Sequence, residues 1–528
     1  MVIIRFWYRI LLGFKSILNC IITLKKIYII LFISLFVTYS AFSQNITCKI
    51  IDSNSNEIIP YANILINDKE NLISNGEGFF TLSEKNIDDK TTITISYIGY
   101  ITRKITVEEL KEIENIIKLE PGYFELNEVT ILNKKLNPYE IMSKVKANFK
   151  NNYLFNSKPK KDLIFFRESV NLIPKTLDIE IDKSSGFSKE TLNTANAQMS
   201  LFTSKLLLNP PKQFTDLICN KYSYLSKKDG KSYYTSKLEV MKATKLKNEG
   251  NSITLDDLEK TAKDIVLKHL DSTKYYRVKS GLFGSRDTIT LRKDFNQKKN
   301  RTSNNQLSVT KGKLESFVSL NSISNTSKYD FIHNPDYYEY TYEGTSFSDQ
   351  NELIYKLSFK PKKSKAKYKG TLLISESDFA IIRVDYKLEE GKKVSGINLK
   401  FLLGVKSSEN ISNGKLIYKK NDNGDGYILQ YLSQESGQYF YVNRPLKFIE
   451  LTNDEKDVVA FDLKIEGNAI EKKEYLKINR SESTETFIEN FKENDFKFIQ
   501  IKEYDPKLWK EYSAIEPSEE MKQLKLID

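Results

Sequence analysis

From Ile46 onward, apolar and polar residues alternate in short runs separated by turn signals, the pattern of strands buried on one face. Six strands are read at 46–52, 62–66, 78–82, 92–97, 101–107 and 115–119, enough for a β-sandwich. Turns are expected at 53–57 and at Ser74-Asn75-Gly76-Glu77, where Gly and Asn accept positive φ. Ile98-Gly99-Tyr100 reads as a tight corner between two strands.

Past residue 135 the period changes. Asn137-Pro138-Tyr139-Glu140 places Asn at an N-cap, Pro at the first helical position and Glu at the third, and Ile141, Val145 and Phe149 then line one face. A second helix opens at Thr254-Leu255-Asp256-Asp257, with Leu258, Ala262, Ile265 and His269 at helical spacing. Two more are read at 197–208, stopped by Pro210-Pro211, and at 307–320, with strands such as 162–170 between. From Tyr337 period two returns, in runs at 338–342, 353–359, 369–374, 379–388, 397–405, 415–419, 427–432, 439–442, 447–451 and 458–465, which predict an antiparallel meander. The fold class is α+β, mostly β: a sandwich at 44–120, a linker at 121–136, a mixed helix and strand region at 137–325, a meander at 326–480 and a C-terminal tail at 481–528.

Residues 1–43 stand apart. Lys25 and Lys26 precede an apolar stretch from Ile27 to Val37, and Ala41-Phe42-Ser43 offers the small residues a signal peptidase reads, so cleavage is expected before Gln44. The uncharged run is short against the roughly 20 residues a spanning helix needs. A second apolar segment, broken by Arg5, Arg9 and Lys15, precedes this complete signal, so translation is expected to begin near Leu24; a peptide from residues 1–24 on the mature protein would refute that. The export signal makes the chain periplasmic or outer-membrane-associated.

The formal charge of +12 falls to +7 once residues 1–43 are removed, since their five cations have no acid beside them. Such a balance is mostly a solvated lysine-rich surface, and in an exported chain it favours anionic lipid or glycan over nucleic acid. Cys48 and Cys219, left after cleavage, are too few for a disulfide framework. The folds must stand on hydrophobic cores, for which 31 tyrosines supply material.

Three ordered motifs, Ile59-Pro60-Tyr61-Ala62-Asn63-Ile64, Ser74-Asn75-Gly76-Glu77-Gly78-Phe79-Phe80 and Ile95-Ser96-Tyr97-Ile98-Gly99-Tyr100, resemble the carboxypeptidase regulatory-like domain of Bacteroidota envelope proteins. The resemblance implies a transthyretin-like β-sandwich and no peptidase activity, because that module is an accessory. Cys48 stands where the family usually has Gly, which implies crowding in the first strand. Leu126-Asn127-Glu128-Val129-Thr130-Ile131 resembles the segment that follows this domain in TonB-dependent receptors and reads here as a linker strand, with a docking strand for a periplasmic partner as the alternative. Tyr368-Lys369-Gly370-Thr371-Leu372-Leu373-Ile374, Asp378-Phe379-Ala380-Ile381-Ile382-Arg383-Val384 and the segment from Tyr504 to Tyr512 resemble uncharacterised Bacteroidota envelope proteins bearing the same sandwich.

Candidate chemistry is sparse. Neither histidine, His269 or His333, opens a His-x-x-Glu zinc motif; the first shares a helical stripe and the second precedes the turn-forming Asn334-Pro335. There is no Gly-x-Ser-x-Gly and no phosphate-cradling loop, and Gly281-Leu282-Phe283-Gly284-Ser285 reads as a loop. Asn421-Asp422-Asn423-Gly424-Asp425-Gly426 alternates oxygen ligands like a calcium loop, but Leu432 occupies the twelfth position where Glu is needed, so a hairpin turn is expected. Carboxylate pairs such as Glu389-Glu390 and Glu519-Glu520 are read as solvated surface. No catalytic, cofactor or metal residue is assigned. The expected role is non-enzymatic, in interaction or assembly with an envelope protein, lipid or glycan and without nucleic acid; the alternative is a carrier of a lipid or other apolar ligand in a groove of the larger domain.

Overall fold

The computed structural model describes residues 46–524 apart from 84–86, 123–136, 154–157, 185–187, 229–230, 248–274, 281–282, 291–304, 348–351, 422–425, 452–456 and 510. The expected export signal, the segment 126–131 and the expected helix through His269 lie outside the described residues.

The sandwich is formed by β1 (Ile46–Asp52), β2 (Asn63–Ile66), β3 (Glu70–Ile73), β4 (Phe79–Leu82), β5 (Thr92–Ser96), β6 (Arg103–Thr106) and β7 (Ile116–Leu119), as sheets β4-β1-β7 and β3-β2-β5-β6. All six strands read from alternation are present. β3 was missed, although Asn67 and Asp68, both at positive φ, turn β2 back into it. The helix α1 (Val107–Glu112) was also missed, although Thr106 and Glu109 cap it reciprocally. The positive φ expected near Asn75-Gly76 belongs to Gly78, whose added Cβ would lie 2.9 Å from the Ile50 carbonyl oxygen. Cys48 is accommodated fully buried, opposite Phe80.

The other fourteen strands make one sheet. They are β8 (Lys160–Ser184), β9 (Lys212–Lys228), β10 (Lys231–Lys247), β11 (Tyr275–Ser280), β12 (Phe283–Thr290), β13 (Tyr338–Phe347), β14 (Leu353–Pro361), β15 (Tyr368–Ser375), β16 (Ile381–Leu388), β17 (Ser395–Leu399), β18 (Val405–Lys420), β19 (Tyr427–Glu450), β20 (Asp457–Glu482) and β21 (Ile499–Ile501). The main path runs β13-β14-β15-β16-β18-β19-β20-β8-β9-β10-β21, with β11 on β19, β12 on β11 and β17 on β18. The meander from β13 to β20 therefore closes antiparallel on β8, and residues on both sides of the expected boundary at 325/326 share one sheet.

Three runs read as separate strands at 427–432, 439–442 and 447–451 are the single strand β19, because the polar stretch between them stays hydrogen-bonded to β18 and β20. β8 likewise continues past Val170, through a register shift at Pro174 where the missing N–H leaves a gap in the ladder. The run at 397–405 breaks instead: after β17 the chain makes the short helix α6 (Lys400–Leu403) and returns as β18. Phe283-Gly284-Ser285 belongs to β12 rather than to a loop.

Period two has an unusual outcome in the sheet's centre, since both faces are covered. Phe165, Ile218, Tyr431 and Leu476 join the core of the sandwich. Their immediate neighbours Ile164, Phe166, Leu217, Cys219, Leu432 and Tyr475 join a second core with the helices α2 (Pro138–Asn152), α4 (Gln306–Leu320) and α5 (Asp330–His333). Phe331 of α5 stacks on Phe359 with ring centroids 4.3 Å apart, and Tyr338, Tyr368 and Tyr386 surround the pair. Farther along the sheet, α3 (Lys189–Leu208), capped by Ser188, lays Met199, Phe202 and Leu206 over Leu177 and Ile179 of β8.

The C-terminal segment fastens the sandwich to the sheet. Trp509 and Ile515 enter the sandwich core, and Asn75 Nδ2 donates to the Pro517 carbonyl at 3.1 Å. Thr81 Oγ1 donates to the Glu516 carboxylate, and Ser513 Oγ to Glu70 at 3.0 Å. Beneath them the buried Arg167 holds Asp216 through two bonds of 2.7 Å and donates from Nη1 to the Glu516 carbonyl.

Candidate functional site

Two kinds of surface merit functional reading: the seam between sandwich and sheet, and the far end of β17. Among the described residues the seam carries several clefts, three of them large. The first, of about 850 Å³, is lined by Tyr61, Tyr97, Arg383, Tyr418, Lys420 and Gln430, among others. Its polar groups already serve one another: Arg383 Nε donates to Asp385 at 2.7 Å, its guanidinium lies 5.0 Å from the Tyr97 ring, and Gln430 Nε2 donates to Asn63 at 2.8 Å. The second, of about 910 Å³, gathers Lys369, Lys387, Lys415 and Lys472 with Asp385 and Glu435. Lys415 contacts Asp385 and lies 4.6 Å from the Tyr61 ring. The third, of about 870 Å³, sets Lys69, Lys419, Lys420, Lys477 and Arg480 against Asp68.

Under this last cleft lies Asp162, which accepts from Arg480 Nε at 2.6 Å and sits 3.6 Å from Lys477 Nζ. Burial alone would raise its carboxyl, but the Lys477 ammonium and the Arg480 guanidinium outweigh burial and hold it down to about 2. A carboxyl depressed on folding contributes stability above its ordinary range and loses that contribution as pH falls through its folded value. Thermal melts at falling pH should therefore show wild type losing stability between pH 4 and pH 2. Asp162→Asn, less stable than wild type at neutral pH, should converge on it there; a gap that persists at pH 2 would refute the assignment.

The described side chains of the seam are largely paired with one another. Burial raises both described thiols, Cys48 and Cys219, the latter to about 12, so neither is a ready nucleophile. Among the described residues no cluster of three His, Cys, Asp or Glu is placed to hold a metal. His333 ends α5, with Nε2 2.8 Å from the Ile323 carbonyl and its ring edge-on to Phe149. Lys420 of β18 pairs with Tyr427 of β19, so the calcium-like stretch joins a hairpin, although 422–425 lie outside the described residues. Glu389 pairs with Lys369, and Glu519 and Glu520 with Lys522 and Lys212.

The end of β17 is different, because several of its apolar side chains stand largely uncovered by the described residues. Every residue of β17 is exposed, Ile397 and Leu399 included. In α6, Leu402 is 78% exposed and Phe401 completely so. This is no frayed loop. Gly404, at φ +66°, ends α6 where a Cβ would lie 2.0 Å from the Asn443 carbonyl oxygen; its N–H donates to the Lys400 carbonyl, and its own carbonyl accepts from the Asn443 N–H at 2.7 Å. Lys400 Nζ lies 4.3 Å from the Tyr441 ring and Lys406 Nζ 5.1 Å from that of Tyr439. Between Gly391 and Ser408 stand four lysines and no acid. Sequence reading missed this tip by taking 397–405 as one half-buried strand. The signal was present, for Phe401-Leu402-Leu403 cannot alternate.

Comparison with known proteins agrees with the sandwich. Residues 46–131 match the family model of the CarboxypepD_reg-like domain, and residues 333–419 that of a family of unknown function, DUF5686. The chain thus carries both domains. The DUF5686 domain spans β13 to most of β18 and includes the exposed tip. No curated protein matches the chain. Similar solved structures include a DUF1329 family protein from Desulfovibrio piger, 10% identical over 67% of this chain and 97% of that one, with a TM-score of 0.20. Another is the Pseudomonas aeruginosa MucA/MucB complex, 6% identical over 65% and 99%, with a TM-score of 0.14. At such TM-scores neither supports an inference about this chain.

Proposed function

We propose that this chain is a non-enzymatic interaction or assembly protein of a Bacteroidota cell envelope, exported and then periplasmic or outer-membrane-associated. The observation that carries the docking role is the exposed tip of Ile397, Leu399, Phe401 and Leu402, closed by the hydrogen bonds of Gly404. Large apolar side chains exposed together on an ordered element are costly unless something covers them. The export reading rests on the Lys25 to Ser43 signal pattern and the resemblance to envelope proteins.

In-cell photo-crosslinking with fractionation tests this. A crosslinker at position 401 should trap an envelope component, whereas one at Lys150, exposed on α2, should trap little. Equal capture from both positions, or turnover of peptides or glycans by the purified protein, would overturn the reading. A second reading, a carrier of a lipid or other apolar ligand, is favoured by the sheet face beside α3. There Leu399, Val405, Val442, Ile465 and Leu177 follow one another across five strands, and only Leu177 packs in the cluster under α3. Mass spectrometry of natively purified protein should then find a bound lipid, and an empty protein speaks against it.

A further inference from the structure

We infer that the tip formed by β17 and α6 inserts into the interface of an anionic phospholipid bilayer. The inference rests on the docking reading above and names its partner.

Two observations select a lipid surface over a protein groove. The first is the shape of the apolar group. Ile397, Leu399, Phe401 and Leu402 project from an edge strand and a one-turn helix, and Phe401 meets no protein atom that reduces its exposure. A wedge of this kind suits a fluid layer that closes around it.

The second is the charge around it. Lys392, Lys393, Lys400 and Lys406 flank the apolar residues within the same segment. The loop between β14 and β15 extends the basic ground, with Lys362, Lys363 and Lys365 exposed. That loop is tied to the tip's base: Lys392 Nζ donates to the Ser364 carbonyl at 2.8 Å, and Lys367 Nζ to the Val394 carbonyl at 2.7 Å. The nearest acids along the sequence are Glu389, already paired with Lys369, Glu390, and Glu409 at the foot of β17; across the sheet Glu466, opposite Tyr441 and within electrostatic reach of Lys400, is already paired with Lys175 at 2.9 Å. Apolar side chains at the point and lysines behind them are the arrangement that anionic headgroups attract and acyl chains then hold. Tyr439 and Tyr441, half-buried at the base, fit the headgroup level, where amphipathic rings collect.

Flotation of the mature full-length chain tests this, with vesicles of phosphatidylethanolamine and phosphatidylglycerol compared with vesicles of phosphatidylcholine. Wild type should partition at least tenfold more strongly onto the anionic vesicles, and the preference should shrink in high salt. The Phe401→Ser/Leu402→Ser double variant should lose tenfold or more while melting at the wild-type temperature, since both side chains are exposed. The Phe401→Trp variant should shift its emission to the blue on anionic vesicles; the described Trp509 is buried and gives a steady background. Equal binding by wild type and double variant, no preference for anionic vesicles, or an unshifted emission from the Phe401→Trp variant would overturn the inference. Crosslinks from position 401 to one protein, without vesicle binding, would overturn the lipid partner and leave the docking role standing. Turnover on peptides or glycans would remove the docking role and leave the vesicle result intact.

Discussion

Asp216→Ala is expected to cost about 3–5 kcal/mol of folding stability, because it strands a guanidinium that nothing else neutralises so directly. Arg167 and Asp216 meet through two parallel 2.7 Å bonds, with both side chains almost wholly out of solvent. Burial pushes the Arg167 guanidinium toward neutrality, and the Asp216 carboxylate overcomes this to hold it protonated. Urea unfolding of wild type and variant measures the difference, and a change below about 1 kcal/mol would refute this account of the pair. The double replacement Arg167→Met/Asp216→Leu should recover much of the loss, since apolar residues of similar volume need no ionic partner. Recovery would show that the penalty belongs to the stranded charge.

Trp509→Ala should cost a similar amount, about 3–5 kcal/mol, and should also loosen the sandwich. The indole lies edge-on to Phe165 of the sheet at 5.7 Å, and Lys242 Nζ sits 5.9 Å from its ring and bonds the Leu508 carbonyl. Its removal opens a cavity where sandwich, sheet and C-terminal segment meet. Limited proteolysis at native temperature should then release a fragment carrying residues 46–122 faster than from wild type. Unchanged digestion would mean that the hydrogen bonds of Asn75, Thr81 and Ser513 suffice to hold the sandwich. Trp509 and Arg167 line the same small cleft, so the two losses should not add.

Alternation alone identified six of the seven described sandwich strands, most of which alternate buried and more exposed positions, and missed β3, whose pattern does not alternate. It was weaker in the large sheet for two opposite reasons. In Leu163-Ile164-Phe165-Phe166 both faces are buried, so the apolar run has no period to read. In the stretch from Ser433 to Gln438 neither face is strongly apolar, so an unbroken strand read as a break. Pairing between distant strands is set by neighbours hundreds of residues away, as where β8 meets β20, and no local pattern encodes that. The exposed tip escaped because apolar residues were assumed to face a core. Its lysines and broken alternation were visible in the sequence, whereas the absence of covering protein needed three dimensions.

The clamp made by the C-terminal segment sets an order of events in folding. Thr81 is bonded to Glu516 across 435 residues, and Asn75 to Pro517 across 442. The sandwich can acquire its own strands early, but its dock on the sheet stays open until residues 509–517 have folded into place. During that interval Phe165, Ile218, Tyr431 and Leu476 present bare apolar surface, and closing loops of such length is slow. An intermediate with this surface open is therefore expected, and the yield of folded protein should depend on chaperones that hold it until the clamp closes.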